Sequence, residues 1–216
     1  MILCLNNRMK IVVFGASGRI GRIVVRILLI DGHEVLAVVN SHNPFSSHKN
    51  LKVMKFDVTG EGKVESILKG NNAVISCLGS WGTESNKVLT SAMDKIIPAM
   101  KRLHIFRIIS LTGSDALVNG EIQKPIEKIS HFIFSILARK VLTDGEDHIK
   151  QLAHSDLDWT VIRSPRMNNS DQYKYLLDKT RPMPWKSVSR KSVAQSMCDQ
   201  IKKGTHVRQS PFIHSR

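Results

Sequence analysis

Short apolar runs alternate along this chain with segments in which apolar residues recur every three or four positions. The run Lys-Ile-Val-Val-Phe at residues 10–14 is typical of a strand buried on both faces, whereas residues 20–30 carry one apolar helix face. The same patterns predict further strands at residues 34–39, 51–56, 73–78, 106–111 and 159–163. They predict helices at residues 62–68, 86–103, 121–154 and 192–203, the third of them broken around Thr143, Asp144 and Gly145.

Strands that alternate with helices form βαβ units, which build a parallel sheet with helices on both faces. The sequence therefore predicts an α/β fold, a doubly wound sheet of the Rossmann type, as a single domain over residues 1–216. We expect the region from about residue 165 to 216 to include a small lobe that covers the carboxyl edge of the sheet, where ligands bind in such folds. We also expect Met9, which precedes the first strand, to be the natural start, and residues 1–8 to be a short extension.

A glycine-rich turn, Gly-Ala-Ser-Gly-Arg-Ile-Gly, joins the first predicted strand to the first predicted helix. Gly15 permits a tight turn, Gly18 lets the backbone approach a pyrophosphate, and Gly21 lets the helix pack closely on the strand. Free N–H groups at the helix start then attract the phosphate charge. The turn therefore predicts dinucleotide binding by Gly15, Ser17, Gly18, Arg19, Ile20 and Gly21.

The end of the second predicted strand indicates which dinucleotide binds. NAD sites place a carboxylate there to accept the ribose 2′-hydroxyl, but this chain has Asn40, Ser41 and His42. Those neutral side chains, together with Arg19 of the glycine turn, suit a 2′-phosphate. We therefore expect NADP(H) to be preferred, with NAD(H) as the alternative.

Further motifs, in their order and spacing, resemble the atypical short-chain dehydrogenase/reductases, in the branch of NmrA-like proteins and flavin (biliverdin-IXβ) reductases. Besides the glycine turn, they are Phe-Asp-Val at 56–58, Val-Ile-Ser-Cys-Leu-Gly at 74–79, Arg-Ile-Ile-Ser-Leu-Thr at 107–112, the segment 155–165 and the segment 187–194. The resemblance implies that Asp57 and Val58 flank the adenine. It also implies that Cys77, Leu78 and Gly79 run beside the ribose and phosphates, and that Thr112, Pro165, Arg166 and Met167 border the nicotinamide. From the residues alone, Asp57 also suits a helix cap, and Cys77 a buried apolar position.

The larger superfamily uses a Tyr and a Lys four residues later for proton transfer, on the helix after the fifth strand. Tyr175 and Lys179 have this spacing, but they follow the sixth strand, so we interpret the match as coincidence. Thr112 and His148 are then the candidate catalytic residues, because a threonine ends the fifth strand and an imidazole titrates near neutral pH. His148 lies one position away from the histidine of the flavin-reductase type, which favours surface exposure for it.

Three functions fit these observations. The first is an NADPH-dependent reductase of a flavin, quinone or similar small planar acceptor, because such hydride transfer needs proximity more than a Tyr/Lys pair. The second is a non-catalytic regulator of the NmrA-like type that senses NADP(H). The third is a dehydrogenase or an epimerase-like enzyme with an unrecognised acid.

Composition and charge limit the other classes. The three cysteines, Cys4, Cys77 and Cys198, have no spacing typical of zinc or disulfide sites, so we expect no metal and a cytoplasmic location. No apolar run is long enough to span a bilayer, and we expect no membrane partner. The net charge of +14 comes from 32 Lys and Arg against 18 Asp and Glu. Because no nucleic-acid motif accompanies that charge and aromatic residues make up 6%, we expect a basic surface near an anionic cofactor and no nucleic-acid partner. The sequence does not indicate the oligomeric state.

Overall fold

The structure is a computed structural model that describes residues 8–80, 87–118 and 120–216. The expected N-terminal extension therefore lies, except for Arg8, outside the described residues, as does Cys4. Asn86, the first residue of a predicted helix, lies outside them too.

Ten strands and six helices are present in the described part of the chain. The strands are β1 (Lys10–Phe14), β2 (Glu34–Val39), β3 (Leu51–Lys55), β4 (Ala73–Ser76), β5 (Arg107–Gly113), β6 (Asp158–Ser164), β7 (Arg166–Asn168), β8 (Tyr175–Asp178), β9 (Ser187–Ser189) and β10 (Phe212–Ser215). The helices are α1 (Gly21–Ile30), α2 (Glu65–Leu68), α3 (Val88–Arg102), α4 (Pro125–Leu137), α5 (Arg139–Ala153) and α6 (Arg190–Lys203).

Eight of these strands form the central sheet, in the order β3-β2-β1-β4-β5-β6-β10-β8. The pairs from β3 to β10 are parallel, and only the edge pair of β10 with β8 is antiparallel. Strands β7 and β9 pair separately, in parallel. The strand order reverses beside β1, where the chain crosses from β3 to β4, and ligands bind at such a switch point in doubly wound folds. This confirms the predicted fold class.

Helices cover both faces of the sheet because alternate strand residues point to opposite sides. Ile11 and Val13 of β1 pack in one apolar cluster with α1 and α6. Val12 and Phe14 pack in the other cluster, with α2, α3 and α5. The central strands β1 and β4 are buried on both faces, which explains why they appear in the sequence as continuous apolar runs.

The C-terminal region is more closely integrated with the sheet than the sequence predicted. Strands β10 and β8 extend the central sheet, and α6 packs against α1 in the helix layer. What remains at the carboxyl edge is the β7–β9 pair and the loops between those strands. That the region from about residue 165 to 216 includes a lobe covering this edge stays a prediction.

The predicted break around Gly145 is wrong. The long helical segment breaks at Ala138, which separates α4 from α5, and Gly145 lies inside α5. A Cβ on Gly145 would lie 2.5 Å from Oγ1 of Thr112 on β5 and 3.3 Å from Cβ of Ala116. Glycine at this position therefore lets a helix approach the end of a strand and does not end the helix.

We expect Gly145→Ala to lower the free energy of unfolding by about 1–3 kcal/mol, because overpacking outweighs the higher helix propensity of alanine. Thr112→Ala removes the Oγ1 atom in question. The double variant Gly145→Ala/Thr112→Ala should therefore recover most of the lost free energy of unfolding. A double-mutant cycle based on urea unfolding measures this recovery. Thr143→Ala, at an exposed position of the same helix, is the control and should change stability little. Additive effects of Gly145→Ala and Thr112→Ala would contradict the contact.

Candidate cofactor and acceptor site

The glycine turn after β1 is held by a very close contact between its two ends. Gly15 has φ +68°, and a Cβ placed on Gly21 would lie only 2.2 Å from the Gly15 carbonyl oxygen. The amide of Gly18 also donates to that oxygen, at 3.0 Å. A side chain at position 21 would force α1 away from β1, so this spacing of glycines is what lets the helix start directly over the strand.

Neither the residue before α1 nor its first turn supplies a side chain that would compete with a bound anion for the N–H groups at the helix N-terminus. Ile20 precedes the helix and makes no capping hydrogen bond from its side chain, and the first turn contains no acidic residue. Helix N-termini carry unpaired N–H groups and a positive partial charge. Gly18 and Arg19 are exposed beside this end. The local structure therefore fits a bound pyrophosphate.

The residues proposed for a 2′-phosphate are divided between two places. Asn40, Ser41 and His42 are exposed directly after β2. Arg19 lines a cavity of about 400 Å³ together with Arg190 at the start of α6. Burial, and then the charge of Arg19, lower the pKa of Arg190, consistent with two cations close together. Binding of the 2′-phosphate by Arg19 stays a prediction.

Asp57, after β3, is exposed and held in a turn. Its Oδ1 accepts hydrogen bonds from the amide and the hydroxyl of Thr59, at 2.9 and 2.7 Å. The bond from the Thr59 hydroxyl is the largest cause that holds the pKa of Asp57 below its usual value. Helix α2 begins only at Glu65, so Asp57 does not cap it. The next residue, Val58, is buried in the core.

The end of β4 comes up against the glycine turn. The amide of Cys77 donates to the Phe14 carbonyl at 2.9 Å, and the Cys77 carbonyl would lie 2.8 Å from a Cβ on Gly15. Burial raises the pKa of the Cys77 thiol to about 12, so it is protonated at neutral pH and is not a nucleophile. Leu78 is half-buried and Gly79 is exposed, so the backbone beyond Cys77 is open at this edge.

A second cavity, of about 150 Å³, lies past the ends of β5 and β6. It is enclosed by the residues after these two strands, by one side of α4 and by the loop before β9. The lining residues are Ser114, Asp115, Glu127, Ser130, Pro165, Arg166, Arg181, Pro182 and Pro184. Of the residues predicted to border the nicotinamide, Pro165 and Arg166 line this cavity. Thr112 and Met167 are half-buried outside its lining.

Arg163 on β6 is buried beneath this cavity and joins the segments around it. Its guanidinium donates to Glu121 at 2.8 Å and to the Ser210 carbonyl at 2.8 Å, and lies 3.7 Å from the centroid of the Phe212 ring. Arg181 pairs with the same carboxylate at 3.2 Å. Burial alone would raise the pKa of Glu121, but the hydrogen bond and charge of Arg163 hold it below its usual value. No sequence motif indicates this cluster, because its members lie far apart in the chain.

Asp144 is buried on α5 and accepts hydrogen bonds from the start of α3. Its carboxylate receives the amides of Leu89 and Thr90 at 3.0 and 2.9 Å, the Thr90 hydroxyl at 2.6 Å and the hydroxyl of Ser80. The carboxylate thus satisfies helix N–H groups that would otherwise be unpaired. Asp144 fixes α5 against α3 close to the carboxyl edge.

His148, one turn later on α5, is fully buried, so the expected surface exposure is wrong. Neither ring nitrogen has a hydrogen-bond partner in the described part of the chain. Burial lowers the pKa of His148 to about 4, although Asp144 opposes the shift. His148 is not among the residues that line the cavity, and a catalytic role for it stays a prediction.

Neither of the chain's two tyrosines lines the cavity. Tyr175 is on β8, where its hydroxyl donates to Asp199 of α6 at 2.6 Å. Burial, and then this bond, raise the pKa of Tyr175. Its contact with α6 supports the interpretation that the Tyr175–Lys179 spacing is a coincidence.

Comparison with protein families identifies the family of this chain. A model of the family described as NAD(P)H-binding matches residues 15–204. The chain belongs to this NAD(P)H-binding family. The match starts at the glycine turn and ends just after α6, so it spans all the elements that form the site. It confirms the predicted resemblance to atypical short-chain dehydrogenase/reductases at the level of an NAD(P)-binding chain.

Solved structures share this fold over almost the whole chain. An oxidoreductase from Lactococcus lactis has a TM-score of 0.80 at 18% identity, over 96% of this chain and 91% of that one. A candidate NADH-flavin reductase from Streptococcus pneumoniae has a TM-score of 0.80 at 20% identity, over 96% and 100%. A short-chain dehydrogenase/reductase from Veillonella parvula, in complex with NADP, has a TM-score of 0.76 at 20% identity, over 96% and 94%.

Two features are absent from residues 8–80, 87–118 and 120–216. No helix there combines the length and apolarity needed to cross a membrane. No group of three or more His, Cys, Asp or Glu side chains is arranged to hold a metal ion.

The buried imidazole of His148 makes stability depend on pH. Its pKa is lower in the folded protein than in the unfolded chain, so the unfolded chain binds the extra proton as pH falls below about 6.5. Wild type should therefore lose about 2 kcal/mol more stability than His148→Leu between pH 7 and pH 5. Urea unfolding at both pH values measures this. Leu152→Val, a buried position without a titrating group, is the control and should keep the wild-type slope. Equal slopes for wild type and His148→Leu would show that His148 is accessible to protons when folded.

Proposed function

We propose that this chain is an NADPH-dependent reductase that passes hydride to a flavin, a quinone or a similar planar acceptor. The observation that carries the proposal is the placement of two features on one sheet edge. The uncapped glycine turn lies at the end of β1, and the separate cavity lies past the ends of β5 and β6. A dinucleotide extended along this edge has its phosphates at α1 and its nicotinamide end near the cavity.

Residues along this sheet edge are proposed to hold successive parts of the cofactor, from the adenine to the nicotinamide. Asp57 and Val58 flank the adenine. Gly15, Ser17, Gly18, Arg19, Ile20 and Gly21, with Cys77, Leu78 and Gly79, receive the ribose and phosphates. Thr112, Pro165, Arg166 and Met167 border the nicotinamide. The end of β2 offers Asn40, Ser41 and His42 without a carboxylate, which supports NADP(H) over NAD(H).

The chemistry of the proposed reaction is supplied mainly by the cofactor, whose reduced nicotinamide is a hydride donor. The protein would contribute position and the exclusion of water. His148 is enclosed and Tyr175 is bonded to Asp199, so neither is placed to deliver a proton. The acceptor or water then supplies protons. Such a mechanism suits flavins and quinones, which accept hydride without a fixed protein acid.

A non-catalytic sensor of NADP(H) is the second candidate, and the size of the cavity favours it. Sites for small ligands usually measure about 300–1,000 Å³, whereas this cavity is about 150 Å³. A planar acceptor would need α4 or the loop before β9 to move. A sensor would need only the cofactor groove.

Turnover separates the two functions. Purified protein should oxidise NADPH when FMN or menadione is added, as followed by the loss of NADPH absorbance. His148→Ala should leave the rate per folded molecule unchanged, because the imidazole does not line the cavity. Tight NADPH binding without turnover across flavins and quinones would reject the reductase and favour the sensor.

Cofactor preference tests the role of Arg19. Titration should give a lower dissociation constant for NADPH than for NADH. Arg19→Ala should raise the NADPH constant about tenfold, because a charge-assisted contact to phosphate is lost, and should change the NADH constant little. Arg139→Ala is the matched control, since it removes an exposed arginine at the start of α5, which is not among the residues that line the cavity beside Arg19. Equal constants for NADPH and NADH in wild type would reject the 2′-phosphate argument.

A further inference from the structure

One side of α4 presents a continuous apolar surface to solvent. Its six members are Ile126, Ile129, Phe132, Ile133, Ile136 and Leu137, called here the α4 face. Phe132, Ile136 and Leu137 are 64%, 65% and 79% exposed. At 100° per residue the six positions span an arc of about 140°. Monomeric proteins seldom leave such a surface uncovered, so the α4 face indicates an interaction site.

The opposite side of α4 carries polar residues that contact the rest of the protein. Glu127 is buried and accepts a hydrogen bond from the Lys124 amide at 2.8 Å. Ser130 donates to Asp115 at 3.0 Å, and His131 lies 3.1 Å from the Asp115 carbonyl oxygen. These contacts fix which side of the helix points inward. The six residues of the α4 face lie on the other side of the helix and therefore point outward.

The exposed charges around the α4 face are all positive. Lys124 and Lys128 lie near its first turn, and Arg139 and Lys140 directly follow its last residue; all four are exposed. The two acidic residues in the segment 120–140 do not offset them at the surface. Glu121 pairs with Arg163 and Arg181, and Glu127 is buried.

We propose that the α4 face binds the surface of an anionic lipid bilayer, with α4 lying in the plane of the interface. Helices that do this combine a broad apolar side with basic flanks. The sequence analysis expected no membrane partner because no segment can span a bilayer. A helix in the interface needs no such length, and α4 is about 20 Å long.

Charge complementarity favours lipid over a second copy of this chain. Pairing two α4 faces about a twofold axis would bring the basic flanks of both copies together, on molecules that each carry +14. Helix pairs also use a narrow apolar seam, whereas the α4 face is broad and suits a flat apolar medium. An anionic bilayer satisfies the apolar side and the flanking charges at once.

The α4 face adjoins the acceptor cavity. Glu127 and Ser130 line that cavity from the inner side of α4, and Pro184 lines it from the loop before β9. Trp185 follows Pro184 and is 67% exposed, and tryptophan is favoured at the lipid interface. If the proposed reductase function holds, on which this step rests, the bound orientation favours a lipid-dissolved quinone among the planar acceptors.

Vesicle binding tests the docking surface without cofactor or acceptor, so its result is independent of the proposed reductase function. Full-length protein should co-sediment with vesicles of phosphatidylcholine and phosphatidylglycerol, less with phosphatidylcholine alone, and less at high salt. Ile133→Glu and Ile136→Glu should each weaken binding to the anionic vesicles about tenfold, because a charge replaces an apolar contact. Circular dichroism should show that both variants remain folded.

Matched controls use exposed residues away from α4. Ile30→Glu, at a position 79% exposed on α1, should leave vesicle binding unchanged. The double variant Lys128→Gln/Lys140→Gln should weaken binding to anionic vesicles more than Lys52→Gln/Lys69→Gln, which removes the same charge elsewhere. No binding of wild type to anionic vesicles, or equal losses in both double variants, would overturn the proposal. If sedimentation showed a dimer that Ile133→Glu converts to a monomer, the α4 face would be assigned to contact with a second copy of this chain instead.

Discussion

A buried guanidinium, that of Arg163, is the contact on which the structure past the ends of β5 and β6 depends. The chain after β5, strand β6, the loop before β9 and strand β10 all meet there, through Glu121, Arg181 and Phe212. Two cations share one carboxylate, so a positive charge remains in a poorly solvated place. Backbone carbonyls and the face of the Phe212 ring help to stabilise it. Arg181, a member of this cluster, lines the cavity, so the cluster helps to fix one side of it.

The cofactor end depends on a different constraint, which is steric. The approach of Gly21 to the Gly15 carbonyl positions α1, and the backbone of Cys77 packs against the same turn. These contacts are local or between adjacent strands, so they were predictable from the glycine spacing and from the apolar run of β1. The acceptor end combines residues from 116 to 212, and no short motif encodes it.

The sequence predicted strands β1 to β6 within two residues or so, most clearly β1 and β4, which are buried, continuous apolar runs. It did not predict β7 to β10, which are three or four residues long and mixed in polarity, such as Tyr-Leu-Leu-Asp in β8. The sequence predicts a helix break at Gly145 because it shows a glycine but not the Thr112 side chain that the glycine meets. His148 and the α4 face were missed for a related reason. Periodicity identifies an apolar side of a helix, but only tertiary packing decides whether that side faces the core or the solvent.

The protonated state of the Cys77 thiol affects how readily oxidants modify this edge of the sheet. Oxidants and alkylating agents attack the thiolate, and at pH 7 a thiol with a pKa of about 12 is ionised in about one molecule in 100,000. The chain thus places its sulfur next to the glycine turn in the less reactive thiol form. Peroxide should therefore modify this position more slowly than it modifies ordinary exposed cysteines.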